Sequence, residues 1–177
     1  MQTRFLILCV VFMLLAVACK PKTDTTKARP SDAVLTQQAD SLLDFWHKAA
    51  AKADFEGYFG SMSSDAIFIG TDATEHWDVA EFKDFSKPYF DRGAAWDFKM
   101  VQRHIFVSED GQTIWFDELL DTWMQICRGS GVIKKENGQW KIAHYVLSPT
   151  VSNDAIEAFI TLKHDSDSLL VPLLRGQ

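Results

Sequence analysis

The sequence predicts an α+β domain in which helices cover one face of a bent antiparallel sheet. Three observations carry that prediction. Between residues 31 and 53, apolar side chains recur in steps of three and four. From Val101 to Pro149 the period changes to two. Two hairpin signals, Asp110-Gly111 and Glu136-Asn137-Gly138, divide this second part into adjacent strands.

The elements follow in order. Ser31 or Asp32 can cap a helix after Pro30, and Leu35, Ala39, Leu42, Trp46, Ala49 and Ala53 form its apolar face. Trp46 belongs to the core on this pattern, and His47 falls off the stripe toward solvent. Asp54 to Met62 reads as a second, short helix with Phe55, Tyr58 and Phe59 on its apolar side. Ala66 to Ile69 is a short strand ending at Gly70, and Glu75, His76 and Trp77 follow in a loop. Asp78 caps a third helix carrying Phe82 and Phe85, which Pro88 is expected to end.

In the first hairpin a two-residue turn sets Val107 opposite Ile114, Ile105 opposite Phe116, Arg103 opposite Glu118 and His104 opposite Asp117. A three-residue turn would instead pair Arg103 with Asp117. In the second hairpin, a three-residue loop with Gly138 left-handed puts Val132 opposite Ile142, Ser130 opposite His144 and Arg128 opposite Val146. That register gathers Ile126, Val132, Trp140 and Ile142 on the buried face. After Pro149, Asn153 caps a short helix through Ile156, Phe159 and Ile160. The tail holds an apolar run, Leu169 to Leu174, interrupted by Pro172.

The 177 residues suit one domain with additional segments, and 47% hydrophobic with 24% charged residues is enough for a buried core. A net charge of −6 with no basic stripe argues against a nucleic-acid partner. Arg4 precedes an apolar run, Phe5 to Val17, too short to span a bilayer comfortably. The run closes on Ala16-Val17-Ala18-Cys19, which resembles a bacterial lipoprotein signal with Ala16 where Leu is usual. Cys19 would then become a lipidated N-terminus; a plain secretory signal cut near Ala18 is the alternative. The expected organisation is a signal over 1–18, a polar tether over 19–30, a domain over 31–162 and a tail over 163–177. The expected address is the cell envelope, lipid-anchored, periplasm-facing or at the outer membrane. Cys127 then remains as the only thiol besides Cys19, so no intrachain disulfide is expected, and it reads as a small buried side chain.

Four stretches carry a resemblance. GTDATEHW, WFDELLDTW, RGSGVI and the closing WKIAHYVLSP are similar to the SnoaL-like branch of the nuclear-transport-factor-2-like superfamily, over roughly Ser31 to Asn153. The resemblance implies a cone, a strongly curved sheet wrapped around the long N-terminal helix, with a pocket at the wide end. Relatives include ketosteroid isomerases, polyketide cyclases, dehydratases and pure binding or dimerising domains.

On that frame Asp117 and His144 are the residues of the kind that moves a proton in catalytic members. Asp117 would act as general base if buried in an apolar cavity; a cross-strand pairing with His104 or Arg103 is the alternative, and Glu118 takes its place if the register slips. Arg128 can grip an anionic ligand group, or pair with an acid such as Asp117 or Asp121. Trp115, Phe68 and Trp77 would wall the pocket; Tyr58 would line it or pack in the core. The five histidines show no HxH or HExxH spacing, and no Gly-rich phosphate loop occurs, so neither metal nor cofactor is expected. Three functions stay open: a lipid-anchored binder of a small apolar or amphipathic molecule, a cofactor-free isomerase, cyclase or dehydratase, and an interaction module forming a homodimer through the outer sheet face.

Overall fold

The structure is a computed structural model that describes residues 29–176. The signal and Cys19 lie outside the described residues, as does the tether up to residue 28. No helix among the described residues is long and apolar enough to cross a membrane.

Helix α1 (Asp32–Ala51) starts where the Ser31 hydroxyl accepts a hydrogen bond from the Val34 amide. It buries Leu35, Ala39, Leu43, Trp46 and Ala49, and also His47, which is only 7% exposed. His47 is therefore not solvated: its partner, described below, sits on the sheet. Ala53 lies beyond the helix in left-handed backbone (φ 53°), where the amides of Ala53 and Asp54 satisfy the carbonyls of Ala50 and Ala49. The short helix α2 (Phe55–Gly60) is capped by Asp54. Strand β1 (Met62–Ile69) follows, longer than the expected Ala66–Ile69.

Residues 76–78 are not a loop. They form a short edge strand, β2 (His76–Asp78), that sets Trp77 opposite Phe68. Helix α3 (Val79–Asp91) opens on a capping box between Asp78 and Glu81. It runs through Pro88 rather than ending there, because Phe90, two residues farther on, is buried against Phe55 and Tyr58. Packing outweighs the one backbone bond that proline removes.

Strands β3 (Lys99–Val107), β4 (Thr113–Thr122), β5 (Gln125–Glu136) and β6 (Gln139–Pro149) complete a six-stranded sheet of order β2-β1-β6-β5-β4-β3. Every pairing is antiparallel except β1 with β6. The first hairpin has the register of the two-residue reading, including Arg103 opposite Glu118 and His104 opposite Asp117. The second differs from expectation. Asn137 (φ 51°) and Gly138 (φ 80°) alone make the turn, so Glu136 pairs with Gln139. Two consecutive positive φ values mark the type I′ geometry that follows strand twist. A bulge at Ala143 then brings Val132 opposite His144 and Arg128 opposite Ser148. The inward residues of β5 are Cys127, Gly129, Gly131 and Ile133, so Ile126 and Val132 are on the outer face. Cys127 is buried, as expected.

The curved sheet and α1 close over a core of stacked rings. Trp46 lies 4.8 Å from Tyr58 and 4.7 Å from Tyr145 between ring centroids. Beyond β6, a 3₁₀ turn (Asn153–Ala155) leads into helix α4 (Ile156–Arg175), which is continuous across residue 163 and has no buried residue.

Gly138→Ala is expected to lower stability by about 1 kcal/mol or more, since only glycine takes this φ without strain. A Cβ there meets no atom within 4 Å. Urea unfolding of the variant therefore reads the backbone cost alone.

Candidate ligand-binding site

A cavity of about 360 Å³ opens where β1 and β6 end and β4 turns into β5. Strand alternation aims Phe68 and Leu147 into it from the sheet. Helical spacing places Phe82, Phe85 and Tyr89 on one face of α3, toward the same space. Trp77 comes from β2, Trp96 and Phe98 from the segment after α3, and Trp123 with Met124 from the β4–β5 turn. The walls are stacked: Phe68 and Phe82 lie 3.9 Å apart, and Trp77 and Phe85 4.4 Å.

Two charged side chains of opposite sign also line it. The Glu75 carboxylate is held in its own turn, accepting from the Asp72 amide at 3.1 Å. Gly70 admits it: a Cβ at that position would lie 2.1 Å from Glu75 Oε2. Arg92 follows α3, and its guanidinium lies 4.8 Å from the Tyr89 ring centroid. Among the described residues no carboxylate pairs with it.

Deeper in the molecule, a second polar group is sealed off. Glu118 points inward from β4 and its side chain is fully buried. One oxygen meets His47 Nε2 at 2.8 Å and accepts from the Tyr145 hydroxyl at 3.0 Å. The other accepts from Arg103 Nε at 2.9 Å. The Arg103 side chain is only 2% exposed; its Nη1 reaches Asp40 at 2.7 Å and Asp44 at 2.8 Å. Burial alone would raise the Glu118 carboxyl, but the His47 hydrogen bond and the charges of His47 and Arg103 outweigh it and hold the group below its usual range. Burial and the adjacent carboxylate push the Tyr145 phenol well up. Tyr145 also stacks on Phe68, which lines the cavity, so an aromatic layer separates Glu118 from that space.

The sequence-predicted residues divide between the faces of the sheet. Phe68 and Trp77 line the cavity. Tyr58 does not: it is wholly buried in the core, and burial raises its phenol. Asp117, Arg128, His144 and Trp115 are on the outer face. Asp117 is 45% exposed there and lies 3.0 Å from His104 Nδ1, because inward positions on β4 belong to Ile114, Phe116, Glu118 and Leu120. Trp115 stacks on Phe106 and shares a cross-strand row with Val132 and His144. Arg128 sits on β5 opposite Leu119 and Ser148, in a different row from both Asp117 and His144. The three groups do not converge. Sequence reasoning missed the roles of His47, Arg92, Trp96 and Trp123. The alternation of β4 already gave Glu118 the parity of its apolar neighbours, which was the available signal.

Residues 39–152, more than half of the chain, match the family model of the SnoaL-like domain. The chain belongs to this family. No curated protein matches it in sequence. Among solved structures, an NTF2-like protein of unknown function from Pseudomonas putida is similar at 15% identity, with 71% of this chain and 92% of that chain covered and a TM-score of 0.58. A protein named as a candidate dehydratase of the NTF2-like family from Streptomyces avermitilis is 12% identical, over 69% of this chain and 100% of that one, with a TM-score of 0.60. A domain of unknown function with a cystatin-like fold from Nostoc punctiforme is 15% identical, over 82% and 98%, with a TM-score of 0.59. At these identities the SnoaL-like domain shares a fold with them.

Glu118→Ala is expected to cost about 3–5 kcal/mol in chemical unfolding, because it removes a buried ion-pair partner and leaves His47 Nε2, Arg103 Nε and the Tyr145 hydroxyl without their acceptor. In the native protein the folded Glu118 carboxyl titrates below its unfolded value, so the unfolded chain takes the proton first. The stability from this group is complete above the ordinary carboxylate value of about 4.3 and is lost as pH falls below it. A series of melting temperatures from neutral to acid pH should show that decline, and Glu118→Ala should flatten it.

Proposed function

We propose that this SnoaL-like domain binds a small, flat, largely apolar molecule carrying an anionic group. The stacked aromatic lining of the cavity supports this reading most directly. A volume of about 360 Å³ suits a ligand of a few rings and is within the usual range for small-molecule sites. Aromatic faces offer contact area to a planar body at little cost in side-chain entropy. Arg92, held over Tyr89 without a carboxylate partner among the described residues, supplies the positive contact for an anion. Glu75 on the lining accepts from a hydroxyl or amine elsewhere on the same molecule. The grip first assigned to Arg128 thus passes to Arg92.

An isomerase, cyclase or dehydratase using Asp117 has less support, since Asp117 lies outside the cavity beside His104. Glu118 does not line the cavity, and its oxygens already have partners in His47, Arg103 and Tyr145. We further propose that the domain is carried on a lipid attached to Cys19, in keeping with the sequence before it. A free, unmodified residue 19 in mass analysis would remove that part of the reading.

Native mass spectrometry of the purified protein is expected to show a co-purified small molecule. Tryptophan fluorescence should report binding of naphthoate more strongly than of its neutral amide. Arg92→Gln should weaken naphthoate about tenfold, equivalent to about 1.4 kcal/mol, and leave the amide unchanged. Trp77→Ala should weaken both and Asp117→Ala neither. Equal binding of acid and amide by the native protein, or binding lost in Asp117→Ala alone, would overturn the assignment.

A further inference from the structure

Helix α4 leaves the domain with its apolar side chains uncovered. Ile156 is 43% exposed, Ile160 58% and Leu174 38%. A lone helix of 20 residues is marginal in water and gains stability by burying a face.

The face has a specific pattern. Ile156, Ile160, Lys163, Asp167, Leu170 and Leu174 follow one another in steps of four, three, four, three and four. That is an uninterrupted heptad seam, apolar at both ends and charged in the middle. At 100° per residue Pro172 falls on the opposite side of the helix, clear of the seam. Lys163 and Asp167 already lie 3.0 Å apart along the helix and are about half exposed.

The seam is also self-complementary in one direction only. Turned end for end about Asp165, a second copy sets Ile156 against Leu174 and Ile160 against Leu170. The same operation sets Lys163 against Asp167 and Asp167 against Lys163. A parallel pair would oppose lysine to lysine and aspartate to aspartate. Opposite charges at a heptad centre select orientation and register. The relation is a two-fold one, as expected of an interface between identical chains.

We propose that α4 is a dimerisation helix that pairs antiparallel with α4 of a second copy of this chain, with the Lys163–Asp167 pairs fixing its direction. This interface uses neither the cavity nor the outer face of the sheet, and it is independent of the ligand reading.

The test is sedimentation velocity of the purified full chain and its charge-reversal variants. The native chain should be a dimer. Lys163→Asp alone and Asp167→Lys alone should each place four like charges at the centre and weaken dimerisation at least tenfold. Mixing the two variants should restore a dimer holding one copy of each. Since α4 has no side chain buried in the domain, both variants should keep the near-ultraviolet circular dichroism and melting transition of the domain, with any loss of helical signal confined to the share of α4. Orientation is read by oxidation: Ile156→Cys chains should cross-link to Leu174→Cys chains and not to themselves. A native chain that is monomeric at all loadings overturns the proposal, including one whose α4 is shielded from hydrogen exchange on its own sheet. So does a dimer indifferent to both reversals, or self-cross-linking of Ile156→Cys.

Discussion

A buried carboxylate sets the terms for the rest of this domain. Glu118 has no water to ionise into, and an unpaired charge at such depth costs several kcal/mol. Its partners come from three other elements: His47 from α1, Arg103 from β3 and Tyr145 from β6. Each can reach it in only one arrangement. The rotation of α1, the register of β3 on β4 and the depth of Tyr145 are therefore constrained together. Arg103 extends the lock to Asp44 and Asp40, which share the His47 face of the same helix one and two turns earlier, so the sheet is tied to that face along its length. Gly129 completes it by omission, since a Cβ there would stand 2.1 Å from the Tyr145 hydroxyl.

This packing also determines where a ligand can go. Trp46, Tyr58 and Tyr145 fill the middle of the curved sheet, with Phe116 beneath them. Open volume is left at the end of the sheet, where α3 and the segment after it stand off from the strands. The polar cluster and the cavity are thus neighbours with separate tasks. One fixes the architecture, and the other presents aromatic surface with a cation at hand. Phe68 belongs to both, packed on Tyr145 behind and lining the cavity in front.

Much of this was readable from residue spacing, and the failures have physical causes. Period-two alternation identified the strands, and charge matching chose the correct first hairpin, with Arg103 opposite Glu118. The same alternation counted Glu118 among Ile114, Phe116 and Leu120. Chemical preference for an aspartate near a histidine drew attention to Asp117 instead, on the exposed parity. His47 looked solvated because helical period describes apolar stripes and does not register a buried ion pair. The second hairpin went astray because a bulge at Ala143 lets a two-residue turn coexist with a buried Ile142. Arg92, Trp96 and Trp123 come together through loops, whose course no periodicity encodes. The aromatic wall was foreseen in kind and, through Phe68 and Trp77, in part.

The chain enters the fold at a fixed corner. Arg29 donates to the Ser108 carbonyl at 3.0 Å and pairs with Asp32, which pins the start of the domain beside the β3–β4 turn. Trp123 and Met124, at the cavity, occupy the opposite tip of β4, ten residues and roughly 30 Å away. Whatever precedes residue 29 thus joins the domain at the end of β4 remote from the mouth of the cavity, and a ligand can enter without passing that junction.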